Sequence, residues 1–182
     1  MTASNYQNKL IIDFRSIFGG DMVEKEWDSV KFDGHYDNHK RVYAPRHDIA
    51  IGPFNSYPDL DIGRDNTKRM QSHPFTKRLI RDVLHNRGTL KKTWNSFSRC
   101  YLAIEIEFTG SSKHILGSLI NASVSGSIGI VINNKRNSTK LDRMWRYLKR
   151  LEGLGRMKIY TLNNLIIFDD DEFLELLSEF TH

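Results

Sequence analysis

The segment from Tyr101 to Phe108 (YLAIEIEF) constrains this chain more than any other. Leu102, Ile104, Ile106 and Phe108 alternate with Ala103, Glu105 and Glu107, a strict period of two that only an extended strand can use. The turn Thr109 to Ser112 follows, with serines suited to cap a helix. The predicted helix runs from about Lys113 to Ser125, with Ile115, Leu116, Leu119 and Ile120 as its apolar stripe. Ile128 to Ile132 (IGIVI) then reads as a buried apolar strand. Strand, helix and strand in this order make a βαβ unit, so the two strands should be parallel.

Around this unit the pattern predicts further elements. Leu10, Ile11, Phe14, Ile17 and Phe18 share a helical face that ends at Gly19 and Gly20. Asp21 to Lys40 is polar and irregular, with room for short strands. Tyr43 to Phe54 reads as a strand closed by Gly52 and Pro53. Pro45 and Pro53 argue against a long regular central strand there. A helical piece is expected near Phe75 to His85. Thr139 to Leu151 is amphipathic and ends at Gly153. Short strands are expected at Met157 to Tyr160 and Leu165 to Phe168, and a last helix opens on the acids of 169–172. The 182 residues are read as one domain with a basic insertion at about 55–99.

Residues two apart on a strand share a face, so Glu105 and Glu107 project together. Two readings follow. They mark the solvent face of a half-exposed strand, or they hold a hard divalent cation such as Mg²⁺ or Mn²⁺. Asp48, in Arg46-His47-Asp48 just before Ile49 to Ile51, is a third carboxylate at the edge of an apolar run. The helix start at Ser111 to Lys113 offers free N–H groups to a phosphate, with Lys113 and His114 as adjoining phosphate contacts. Asn121, two turns beyond His114, is read either as a site residue or as a polar helix flank. Zinc spacing, a P-loop, a dinucleotide-binding glycine pattern and a serine nucleophile elbow are absent.

Asp48 followed by Glu105-Ile106-Glu107, a helix and a second strand resembles the PD-(D/E)xK nuclease superfamily, whose members share the restriction-endonuclease-like α/β fold. The resemblance covers about Tyr43 to Phe54 and Tyr101 to Ile132, and the N-terminal helix matches the family's opening element. It implies a mixed central sheet flanked by helices. It also implies metal ligation by Asp48, Glu105 and the Ile106 carbonyl, and Mg²⁺-dependent endonuclease activity on DNA. Glu107 stands where the family usually has lysine. That departure favours a second metal or a general-base role for Glu107, with Lys113 supplying the missing positive charge. The alternative is a relic of the fold that binds nucleic acid or a protein partner without cutting.

The net charge is +5, with a sequence pI near 9.3, which permits polyanion binding. Ten cations fall between Arg64 and Arg99, against Asp65 and Asp82 as the only acids. Among them Lys77, Arg78, Arg81, Lys91 and Lys92 are the expected nucleic-acid contacts, with Phe75, Trp94 and Phe97 interleaved. A second basic cluster, Lys135 to Arg150, is read as the exposed side of a helix. The single cysteine, Cys100, builds no disulfide framework, and no signal-peptide core or membrane span is evident, so a cytoplasmic protein with no membrane partner is expected. A homodimer is one arrangement to expect of an enzyme that cuts both strands.

Overall fold

The computed structural model describes residues 1–28, 46–54, 68–87, 98–155 and 162–181. They form an α/β fold on a five-stranded mixed sheet, ordered β1 to β5 as in the chain. The strands are β1 (Val23–Asp28), β2 (Arg46–Ile51), β3 (Cys100–Glu107), β4 (Gly126–Asn133) and β5 (Leu165–Asp169). The helices are α1 (Ala3–Phe18), α2 (Pro74–Arg87), α3 (Ser112–Ser125), α4 (Ser138–Gly153) and α5 (Asp170–Ser178). Among the described residues no helix is long and apolar enough to cross a membrane.

Strand β1 is antiparallel to β2 and β2 to β3, whereas β3, β4 and β5 run parallel. The parallel β3–α3–β4 unit is the one the alternation predicts. Leu102, Ile104, Ile130, Ile132 and Phe168 point to one face, against Leu10 and Phe14 of α1, Phe75 and Leu79 of α2, and Phe173 and Leu177 of α5. Ala103 and Val131 point to the other face, against Ile115 and Leu119 of α3 and Leu141 and Leu148 of α4. The sheet is thus covered on both faces, which is why β4 reads as a continuous apolar run.

Local chemistry sets the ends of the elements. Helix α1 stops at Gly19, whose φ of +93° suits glycine. Asp169 and Glu172 form a reciprocal capping box at the start of α5. Helix α3 lies so close to β4 that a Cβ on Gly129 would stand 2.6 Å from the Ala122 carbonyl oxygen. Strand β2, flanked by the prolines noted above, is only six residues long. Val23–Asp28, in the polar stretch that left room for short strands, is an edge strand regular apart from one residue, Glu26, with φ of +51°. The strand expected at Met157 to Tyr160 and about half of the basic insertion, including Lys91 and Lys92, lie outside the described residues.

Candidate functional site

The site begins where the β2–β3 ladder ends. Ile51, Ala50 and Ile49 pair with Leu102, Ala103 and Ile104, all of them apolar. One residue further on, a side chain replaces the backbone partner. Asp48 turns its carboxylate to β3, and Oδ2 accepts the Ile106 N–H at 2.7 Å. The Asp48 carbonyl accepts a hydrogen bond from Gln7 Nε2 of α1 at 2.8 Å. Gln7 also donates to Glu26 Oε1 at 2.9 Å, and Arg46 Nε lies 3.0 Å from Glu26 Oε2. Asp48 is therefore held from both sides, its backbone by α1 and its side chain by β3.

Glu105 and Glu107 project to the face of the sheet that carries α3. They are not on a solvent face: their residues are only 6% and 8% exposed. The Ser118 hydroxyl of α3 donates to Glu107 Oε1. The Glu105 Oε1 atom lies 2.7 Å from His47 Nδ1, and the His47 ring stacks on Trp27 with centroids 6.0 Å apart. Regular alternation would put His47 on the face of Ile49 and Ile51. The left-handed backbone at Glu26 coincides with a break in that alternation: Trp27 and its register partner His47 both lie on the α3 side.

Burial dominates the electrostatics. It raises the Glu105 carboxyl well above the usual range, and the charges of Asp48, Glu107 and Glu26 raise it further. Burial also lifts Asp48 to about 6; the Ile106 N–H and Arg46 oppose this, while Glu26 and Glu107 add to it. Burial lowers His47 to about 4. Since burial favours the neutral form of both His47 and Glu105, their contact is better described as a hydrogen bond than as an ion pair.

Asp48, Glu105, Ile106 and Glu107 line one cleft of about 630 Å³, together with Lys113, His114, Ser118 and Asn121. Lys113 and His114 are exposed on the first turn of α3, which Ser111 caps by accepting the His114 N–H at 3.4 Å. Asn121 is half-buried two turns along, so this flank of α3 faces the cleft. Among the described residues, no group of three or more His, Cys, Asp or Glu side chains is arranged to hold a metal ion. Each acid instead gives one oxygen to a protein donor or ring nitrogen. Asp48 Oδ1 and Glu105 Oε2 keep no hydrogen-bond partner among the described residues. The donor set is made of hard oxygens, which suits Mg²⁺ or Mn²⁺ rather than a softer ion.

Other expected contacts stand elsewhere. Lys77, Arg78 and Arg81 are on α2, which packs through Phe75 and Leu79 on the opposite face of the sheet, and none of them lines the cleft. The Arg78 guanidinium is engaged in two 3.1 Å bonds to the Glu179 carboxylate. It fastens α2 to the end of the chain and does not reach toward the acids.

The sequence reading passed over four participants, Gln7, Glu26, His47 and Ser118. Gln7 carried a signal: it shares helical spacing with Leu10, Ile11 and Phe14, a lone amide on a buried stripe. His47 carried none, because regular alternation would point it to the face of Ile49 and Ile51, away from Glu105.

The chain matches no family model, no curated protein and no solved structure in the comparisons made. What the site does must be argued from its own groups.

Proposed function

We propose that this chain is a metal-dependent phosphodiesterase of the restriction-endonuclease-like kind, acting on nucleic acid and on DNA in particular. The observation that carries the reading is the convergence of Asp48, Glu105 and Glu107 on one polar cleft with Lys113 and His114 at its rim. Three carboxylates gathered on one cleft, two of them buried, repel one another when charged, and a cation among them removes that cost. Asp48, Glu105 and the Ile106 carbonyl would hold Mg²⁺ or Mn²⁺, with Glu107 alongside.

When bound, such an ion supplies a lowered pKa for water and charge compensation on the phosphoryl oxygens. The rest falls to the chain. Lys113 and His114 receive the phosphate at the start of α3, where free N–H groups add to their charge. Glu107, in the position the family gives to lysine, takes the proton of the attacking water on its carboxylate, and the Ser118 hydroxyl fixes that carboxylate's orientation. His47 fixes the carboxylate of Glu105 in the same manner.

Calorimetric titration with Mn²⁺ should give a binding heat for the wild type and none for Glu105→Ala. Plasmid nicking should require Mg²⁺ and vanish in Asp48→Ala. Nicking that persists in Asp48→Ala overturns the reading. One observation favours a rival, a non-cutting nucleic-acid binder of the same fold: no three-acid metal cluster is assembled among the described residues. DNA binding that is salt-sensitive but indifferent to metal, with no nicking, selects the rival.

A further inference from the structure

Helix α4 and the turn before it carry a cationic ridge whose charges meet no acid among the described residues. Lys140, Arg143, Tyr147 and Arg150 recur at intervals of three, four and three, the spacing that lines residues up on one side of a helix, and Arg136 stands in the turn just before it. All five are exposed. The neighbouring cations off this line each have an acid: Lys135 has Asp171 at 3.3 Å, Arg146 has Asp142 at 3.5 Å and Lys149 has Glu152 at 3.1 Å. Arg136, Lys140, Arg143 and Arg150 have no acid within ion-pair reach among the described residues. The opposite side of α4 is anchored in the core by Leu141 and Leu148, so the ridge is held on a fixed rod.

We infer that this ridge binds the phosphate backbone of a nucleic-acid duplex. From Lys140 to Arg150 the rod is roughly 15 Å long at about 1.5 Å per residue. That length matches about four base-pair steps of a duplex at roughly 3.4 Å of axial rise each. A hollow of about 440 Å³ beside Arg143, lined also by Ser138, Thr139 and Arg146, offers hydroxyl and guanidinium donors to such phosphates, with Asp142 at its edge. A single-strand reader would need several aromatic faces for base stacking, and the ridge has only Tyr147. The ridge is also tied to the acids. Asn137 Nδ2 donates to the Glu107 carbonyl at 3.3 Å, and Asn134 Nδ2 to the Phe108 carbonyl at 3.1 Å. Arg136 sits between these two asparagines, so one end of the ridge is fastened to the end of β3 from which Glu105 and Glu107 project. As a statement of substrate class the inference rests on the proposed phosphodiesterase reading, but binding is measurable without cutting.

The test uses the full chain and a fluorescein-labelled DNA duplex of random sequence in EDTA, read by anisotropy over a range of salt. The double substitution Lys140→Glu with Arg143→Glu lies on an exposed face, and circular dichroism checks that the fold is kept. Its duplex affinity should fall at least about tenfold, and the slope of log affinity against log salt should flatten by about two. The neutral pair Lys140→Gln with Arg143→Gln should show an intermediate loss. Unchanged duplex affinity in the charge-reversed protein overturns the inference. So does equal wild-type affinity for the single strand, or tighter binding to anionic vesicles than to duplex. Mn²⁺ heats measured in parallel keep the two readings apart. A ridge variant with normal Mn²⁺ heat and lost duplex binding supports the ridge. A wild type without Mn²⁺ heat but with ridge-dependent binding sinks the phosphodiesterase and leaves the ridge standing.

Discussion

The two ends of the β2–β3 pair are made by the same strands under opposite rules. At one end Ile49 to Ile51 meet Leu102 to Ile104 in a regular ladder, and every side chain there is fully buried and apolar. At the other end Asp48 has replaced a backbone bond with a carboxylate, and His47, Glu105 and Glu107 are buried as polar groups. The first end gains stability from water leaving apolar surface. The second gives some of that gain back, because carboxylates held out of water are costly unless paired. A chain keeps such an end when the polar groups have a use that the core does not.

The largest effect should come from the apolar end. Ile104→Ala empties a site with no exposed surface and should lower the unfolding free energy by about 2–5 kcal/mol in urea. A loss under about 1 kcal/mol would break the comparison, since the ladder would then not be where stability resides.

Next in size is Asp48→Asn, which keeps an acceptor for the Ile106 N–H and removes the charge. Asp48 is raised to about 6 when folded. Its contribution is therefore fully present below the unfolded value near 4 and is lost as pH rises through about 6. Relative to Asp48→Asn, the metal-free wild type should weaken between about pH 4 and pH 7 by up to roughly 2–3 kcal/mol and then level off. Mn²⁺ should restore the wild type and not the variant. Denaturation midpoints in EDTA across this range check the sign, and a flat difference would mean that the burial of Asp48 has no energetic consequence.

How much of this was open to sequence reading follows the same division. The apolar end was legible, because the period of two in Leu102 to Phe108 and the stripe of α3 are local patterns. The parallel β3–α3–β4 unit follows from them, whereas the mixed sheet flanked by helices was implied by the family resemblance. Glu105 and Glu107 were legible as a pair, since alternation alone puts them on one face. Their burial was not, because it depends on α3 lying over them and on Ser118 reaching Glu107. β1 was legible only as room for a short strand without bounds, as an edge strand that shows Glu24, Lys25 and Glu26 to solvent carries little alternation. Charge counting picked out Arg78 but could not see Glu179, about a hundred residues away in sequence and in direct contact in space.

A smaller effect is expected at His47, whose contact with Glu105 ties the polar end of β2 to β3. His47→Phe should keep the stacking on Trp27 and leave Glu105 Oε1 without its partner, at a cost of about 1–3 kcal/mol. Loss of the unpartnered His47 Nε2 offsets part of this, so a net cost near about 1 kcal/mol is expected. Mn²⁺ affinity should fall about 10–100-fold, the usual range when an outer partner of a metal ligand is removed. Unchanged Mn²⁺ affinity would make His47 a packing group only.

The smallest change in stability, and the sharpest question, belongs to Gly110. A Cβ there would collide with Glu107 Oε2 and come within 3.3 Å of the His114 Cβ. No left-handed φ is required at this position, so Gly110→Ala meets no backbone strain. What must yield is the far end of the Glu107 side chain, and the denaturation midpoint should move by less than the equivalent of about 1 kcal/mol. The carboxylate, however, would be pushed from its place beside Ser118. If Glu107 takes the proton of the attacking water, nicking should fall while Mn²⁺ affinity at Asp48 and Glu105 holds. If it ligates the ion, both should fall together. Should neither move, Glu107 takes no part in the chemistry, and the polar end of β3 reduces to Glu105 and its partners.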